Sequence, residues 1–149
     1  MNRKVVALLV SAFIAGVSLP LILQWQSQRD TGGVLHVMEA VVIPGAEQVF
    51  DAVVWSNGEL LTSPESDDDW EHVEHGALAL KEGAHLLMMP GRARDLGAWR
   101  RYTNELKEAA RAAEQAAARR NVDEVFDAGA RIYTVCNNCH RTYIGRPLS

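Results

Sequence analysis

The sequence predicts an all-α protein, an antiparallel up-down-up-down four-helix bundle preceded by an N-terminal transmembrane signal-anchor helix. Three observations carry this. From Gly33 onward apolar residues recur at intervals of three and four, and no stretch alternates convincingly as a strand. The four segments that show this period are joined mostly by short connections, which favours antiparallel neighbours. Ahead of them runs VVALLVSAFIAGVSLPLIL, residues 5–23, without a single charge.

The bulk numbers fit that plan. The chain has 149 residues, 48% hydrophobic and 7% aromatic, enough for one globular domain plus an extra segment. The apolar run follows Asn2-Arg3-Lys4 and, as a helix, spans roughly 28 Å, close to the hydrocarbon thickness of a bilayer. Basic residues before it favour a cytoplasmic N-terminus. A cleaved signal peptide, leaving a soluble periplasmic protein, is the alternative. The expected division is residues 1–23 as signal-anchor, 24–33 as a polar linker ending in glycine, and 34–149 as the bundle. Residues 1–29 hold three basic and no acidic residues, so the remainder carries 12 basic against 19 acidic, net −7. No basic run interleaved with aromatics occurs, which argues against nucleic acid as a partner.

The first bundle segment, GVLHVMEAVVIPGAEQVFDAVVW, places Leu35, Met38, Val42, Gly45 or Ala46, Val49 and Val53 on one stripe. Pro44 lacks the N–H that would reach the carbonyl of Ala40, which predicts a kink rather than an end. SNGELLTSPES follows as a loop. The second segment opens on Asp67-Asp68-Asp69, carboxylates that suit a helix N-terminus. Trp70, Val73, Ala77, Leu80, Ala84 and Leu87 form its seam, and Pro90-Gly91 stops it. The third runs from about Asp95 to Arg120, alanine-rich, with Leu96, Trp99, Thr103, Leu106, Ala110 and Ala113 inward. The fourth, from about Val122, aligns Val125, Gly129, Ile132, Cys136, Cys139 or His140, and Tyr143. Trp55, Trp70, Trp99, Phe50 and Phe126 read as core aromatics.

Chemistry concentrates in the fourth segment, at Cys136-Asn137-Asn138-Cys139-His140. These are the only two cysteines. A thioredoxin-type redox pair would sit beside a βαβ pattern, which is absent. A zinc site would need further ligands, and no second cysteine pair supplies them. A disulfide three residues apart on a helix closes almost no loop. Cys-x-x-Cys-His is the attachment signature of c-type haem: each thiol adds to one vinyl group, and the adjacent histidine reaches the iron. Cys136 and His140, at i and i+4, share a helix face. The expected cofactor is therefore one covalently bound haem c, with Cys136 and Cys139 as anchors and His140 as an axial ligand.

Residues 141–149 contain no Met, His, Lys or Cys, so a second protein ligand is sought upstream. A helical bundle with CNNCH late in its last helix, and Tyr143 three residues on, resembles the class II c-type cytochromes, the cytochrome c prime family. The resemblance covers roughly residues 33–146. It implies one of two branches. In one the distal iron face is open and binds small gases such as NO and CO. In the other a methionine from the first helix is the sixth ligand, and the protein transfers electrons. Met38, on the inward stripe of the first helix, matches the second branch. His36 points to nearly the opposite side and is the competitor for that role. Met88 and Met89 fall near the expected haem edge but read as packing residues. His72, His75 and His85 read as a solvated polar face. Arg92 and Arg94 are candidates for pairing with haem propionates.

The resulting expectation is a mono-haem electron carrier on the periplasmic side of a bacterial inner membrane. Its partners would be redox proteins, the membrane through the N-terminal helix, and a second copy in a homodimer. An enzymatic haem is the weaker reading, because the inward stripe of the first helix offers no acid-base residue.

Overall fold

A computed structural model describes residues 33–148. They are mostly helical, with four helices and one small two-stranded sheet. The first helix, α1, covers residues 34–50 in three stretches. Val34–Val37 is α-helical, Met38–Val42 is π-helical, and Ile43–Phe50 is α-helical again. The interruption expected at Pro44 thus takes the form of a π turn immediately before it, in which the Ile43 N–H reaches back five residues to the carbonyl of Met38.

That turn alters the stripe. Val42, Ala46, Val49 and Val53 are buried as expected. Upstream of the π turn Val37 is buried instead of Leu35, which is 65% exposed, and Met38 is half-buried. In an uninterrupted α-helix Val42, Met38 and Leu35 would share a face; a wider turn moves each residue upstream of it round by about one position, roughly 100°.

The first helix ends at Phe50, short of the expected Trp55, and Val54 and Trp55 join the first part of the expected loop in a β-hairpin, in which β1 (Val54–Ser56) pairs antiparallel with β2 (Glu59–Thr62). Asn57 and Gly58, both with positive φ of 51° and 83°, make its two-residue turn. This is the Asn-Gly signal for a tight hairpin. Every strand residue is exposed, so no buried face produces an alternating pattern. Trp55, expected in the core, is exposed here.

Helix α2 spans Asp67–Leu87. Ser66 caps it through a reciprocal pair: its hydroxyl accepts from the Asp69 N–H at 3.1 Å, and the Asp69 carboxylate accepts from the Ser66 N–H at 2.8 Å. All six expected seam residues, Trp70, Val73, Ala77, Leu80, Ala84 and Leu87, are buried. Helix α3 spans Ala98–Ala118. Asp95 precedes it, its carboxylate accepting from the N–H groups of Gly97 and Trp99. The helix therefore begins three residues later than expected, and Leu96, left in the lead-in, is 70% exposed rather than inward. Arg120, with φ 54°, turns the chain, and the Asn121 side chain caps α4 by accepting from the Glu124 N–H at 3.1 Å. Helix α4 spans Val122–Tyr143. Val125, Gly129 and Ile132 are buried as expected, whereas Phe126 is exposed.

α2 packs on α3, α3 on α4, and α1 on both α2 and α4. The largest fully buried side chains are Leu80, Ile132, Val49, Val73 and Val125. α3 meets them with Ala110, Ala113, Ala116 and Ala117, all fully buried, and small side chains there let helices approach closely. α1 and α2 come closer still: a Cβ built on Gly76 would stand 2.8 Å from the Gly45 carbonyl oxygen. Across α2 and α3, Lys81 and Glu114 form a half-buried ion pair at 2.6 Å.

No helix among the described residues is long and apolar enough to cross a membrane. The expected anchor, residues 5–23, lies outside them.

Candidate functional site

One cavity of about 340 Å³ lies between α1 from Met38 to its end at Phe50, the end of α2, the start of α3 and the end of α4. It falls within the size range of small-molecule and cofactor sites. Met38, Cys136, Cys139 and His140 all line it. The motif on α4 and a methionine almost a hundred residues upstream are thus brought to one space, which the helical period alone did not require.

The last three turns of α4 present the motif. Cys136, Cys139 and His140 are half-buried, and both cysteines are free. Burial pushes the Cys136 thiol up to about 11, with the neighbouring Cys139 adding to the effect. Burial also raises the Cys139 thiol. Burial lowers the His140 imidazole, and the positive charge of Arg146 lowers it further. At neutral pH the group is therefore two thiols and a neutral imidazole, the form in which a histidine nitrogen can ligate a metal.

Two hydrogen bonds hold this end of α4 against the start of α3. The Tyr143 hydroxyl donates to the Asp95 carboxylate, and Tyr102 and Thr142 share a hydroxyl–hydroxyl bond at 3.1 Å. Tyr143 also meets Trp99 edge-on, with ring centroids 5.0 Å apart. Trp99 is fixed in turn by its indole N–H, which donates to the Leu87 carbonyl at 2.9 Å. Beyond α4, Gly145 turns the chain with φ 78°. Leu148 then returns to the cavity wall, its N–H donating to the Asn137 side chain at 3.3 Å.

The rest of the lining is mainly apolar: Val42, Ile43, Ala46 and Phe50 from α1, Leu87 from α2, Trp99 and Leu106 from α3. Glu47 is the single carboxylate in it, and no Lys or Arg lines it. Tyr102, Tyr133 and Leu148 also border the cavity and were not anticipated. Tyr133 precedes Cys136 by three residues, so helical spacing from that site residue was the available signal for it; Tyr102 follows Trp99 by three, but Trp99 reads only as a core aromatic. Leu148 had none, because it reaches the cavity through a turn.

The other candidates fall away from the cavity. His36 is exposed. Met88 packs against the core, Met89 is exposed, and neither lines the cavity. His72, His75 and His85 are exposed, with His75 3.7 Å from Glu71. Arg94 is exposed, and the Arg92 guanidinium donates to the Leu86 carbonyl at 3.3 Å. Neither arginine lines the cavity.

The residues that could hold a cofactor, through a thiol link or a nitrogen or sulfur ligand, lie together here. Two free thiols and an imidazole share one wall, a thioether comes from a different helix, and the lining between is apolar. No cluster of three or more His, Cys, Asp or Glu suited to a bare metal ion occurs among the described residues. No family model, curated protein or solved structure matches this chain.

Proposed function

We propose that the chain is a mono-haem c-type cytochrome that carries single electrons between redox partner proteins. The observation that carries this reading is the convergence of Cys136, Cys139, His140 and Met38 on one apolar cavity. In this proposal the helices form an antiparallel up-down-up-down bundle, supported by the ring of contacts α1–α2–α3–α4–α1. The segment 5–23 anchors the domain on the periplasmic side of a bacterial inner membrane.

Bound haem supplies a centre that changes oxidation state by one electron; the protein holds, orients and shields it. The Cys136 and Cys139 thiols would hold the haem by thioether links to its two vinyl groups, and His140 and Met38 would supply ligands to its iron. Neutral imidazole and thioether ligands, with apolar walls that limit water, favour the reduced state relative to harder ligands. No proton transfer is required, consistent with Glu47 as the only acidic lining residue. The acidic balance of the domain suits a basic partner surface.

The second reading is a gas-binding haem protein in which Met38 is part of an open apolar wall with Val42 and Ile43. The visible spectrum of the purified, reduced protein with and without CO separates the two. The expected wild-type spectrum is low-spin and resists CO, and Met38→Ala becomes CO-reactive. A wild-type spectrum that shifts promptly on adding CO sinks the Met38 ligation.

A further inference from the structure

We infer that Pro44 is a positioning residue for Met38, acting through the π turn at Met38–Val42; the inference rests on Met38 as an axial ligand. Three observations lead to it. The Ile43 N–H bonds the Met38 carbonyl five residues back, and Pro44 follows at once in the next helical turn. Val37 and Val42, five apart, are both buried, a spacing that places residues on opposed sides of an α-helix. Leu35, which an α-helix would bury with Val42, is 65% exposed.

A π turn holds one residue more than an α turn. Each residue upstream therefore takes the angular place that its C-terminal neighbour would hold in a continuous α-helix. Val37 takes the centre of the seam, Leu35 faces out, and Met38 moves to the flank, where it lines the cavity. In an α-helical register Met38 would occupy the seam centre that Val37 now fills, against α2 rather than beside His140. There Val42 already packs tightly, since a Cβ built on Gly83 would stand 2.8 Å from its Cγ2. The proline keeps the helix out of that register. It has no N–H to give an i−4 carbonyl, and its ring clashes with that carbonyl in a regular helix.

Two changes with opposite effects on register test this. Pro44→Ala restores the missing N–H, so the π turn relaxes and the upstream residues rotate by roughly 100°. In that background, deleting Ala40, an exposed residue inside the π turn, removes the extra residue and leaves Met38 on its present face. The expected results, read on the reduced holoprotein, are a CO-reactive spectrum in Pro44→Ala and a CO-resistant one when Ala40 is also deleted. Deletion of Ala40 alone leaves Pro44 to impose its π turn on the shortened helix, so Met38 turns to the exposed place of Glu39 and the iron becomes CO-reactive; this arm stands if Pro44→Ala does not fold. A readout independent of the iron is labelling of an introduced thiol by a maleimide. Leu35→Cys reacts and Val37→Cys is protected, and Pro44→Ala exchanges the two.

The inference is overturned if Pro44→Ala stays CO-resistant with the labelling unchanged. It is equally overturned if deleting Ala40 fails to restore Pro44→Ala, or by itself leaves the spectrum CO-resistant. Failure of the ligation reading looks different: the wild type itself binds CO, or Met38→Ala leaves the spectrum unchanged.

Discussion

At the scale of single residues, Cys136 and Cys139 offer a direct chemical check. Each thiol, if it adds to one vinyl group, contributes one covalent tether. Cys139→Ala is expected to retain haem through Cys136 alone. The unreacted vinyl group then stays conjugated with the ring, so the reduced absorption band moves to longer wavelength. Loss of both cysteines abolishes covalent retention in a denaturing gel stained for haem. Covalent haem persisting in the double variant would refute the attachment.

The cap of α2 makes a second residue-scale prediction, in pH. The Ser66 N–H, the Ser66 hydroxyl contact and the Glu65 N–H hold the Asp69 carboxyl below its ordinary range. The Tyr143 hydroxyl and the Trp99 N–H do the same for Asp95. A carboxyl whose pKa is lower folded than unfolded contributes stability above its unfolded value, and loses it as pH falls through the folded one. The acid limb of stability is therefore expected to steepen below about pH 4. Urea midpoints measured from pH 6 to pH 2 should fall less steeply in Asp69→Asn than in the wild type. Ser66→Ala, which removes the capping hydroxyl, should cost about 1 kcal/mol at neutral pH.

At the scale of elements, the contact between α1 and α2 is set by glycine. A methyl group at Gly76 would meet the Gly45 carbonyl oxygen at 2.8 Å and the Gln48 Cβ at 2.6 Å. Alanine is the better helix former by up to about 1 kcal/mol, but overpacking a tight contact costs roughly 1–3 kcal/mol. Because one obstacle is backbone, which cannot rotate away, the second effect wins. Gly76→Ala is expected to lower the thermal midpoint, and a raised midpoint would show that α1 and α2 separate freely.

How legible each element was depends on what decides its face. In α2 the helix is regular, and spacing alone places Trp70, Val73, Ala77, Leu80, Ala84 and Leu87 inside. In α1 the same rule puts Leu35 inside and is wrong, because the turn before Pro44 changes register. Leu96 misleads for another reason: the Asp95 carboxylate bonds the Gly97 and Trp99 N–H groups, so Leu96 lies ahead of the helix. The hairpin buries none of its strand residues, so hydrophobic period is silent there. Only Asn57-Gly58 announces it.

At the scale of the whole molecule, stability rests on one core shared by all four helices. Leu80, fully buried on α2, is expected to cost about 2–5 kcal/mol when changed to alanine, in a chemical denaturation curve. The surface ion pair Arg120–Asp67, at 2.6 Å but exposed, should matter far less. For the anchor proposed at residues 5–23, the expected outcome is that the full chain stays with the membrane pellet after a high-salt wash and is released by detergent. Release by salt alone would point to a cleaved leader.

By itself the sequence determined the chemistry on offer and most of the local structure. CNNCH specifies two thiols and an imidazole on one helical face, and periodic apolar residues with capping signals specify the helices, because these depend on neighbours within a few residues. Tertiary structure decided which of those groups meet. Met38 reaches the cavity of Cys136, Cys139 and His140 only because α1 packs on α2 and α4 with a π turn in its path, and Leu148 only because Gly145 turns the tail back. The physical reason is one of range. Helical spacing sets a residue's angle on its own helix, whereas its place against a distant helix depends on accumulated register and close packing between helices.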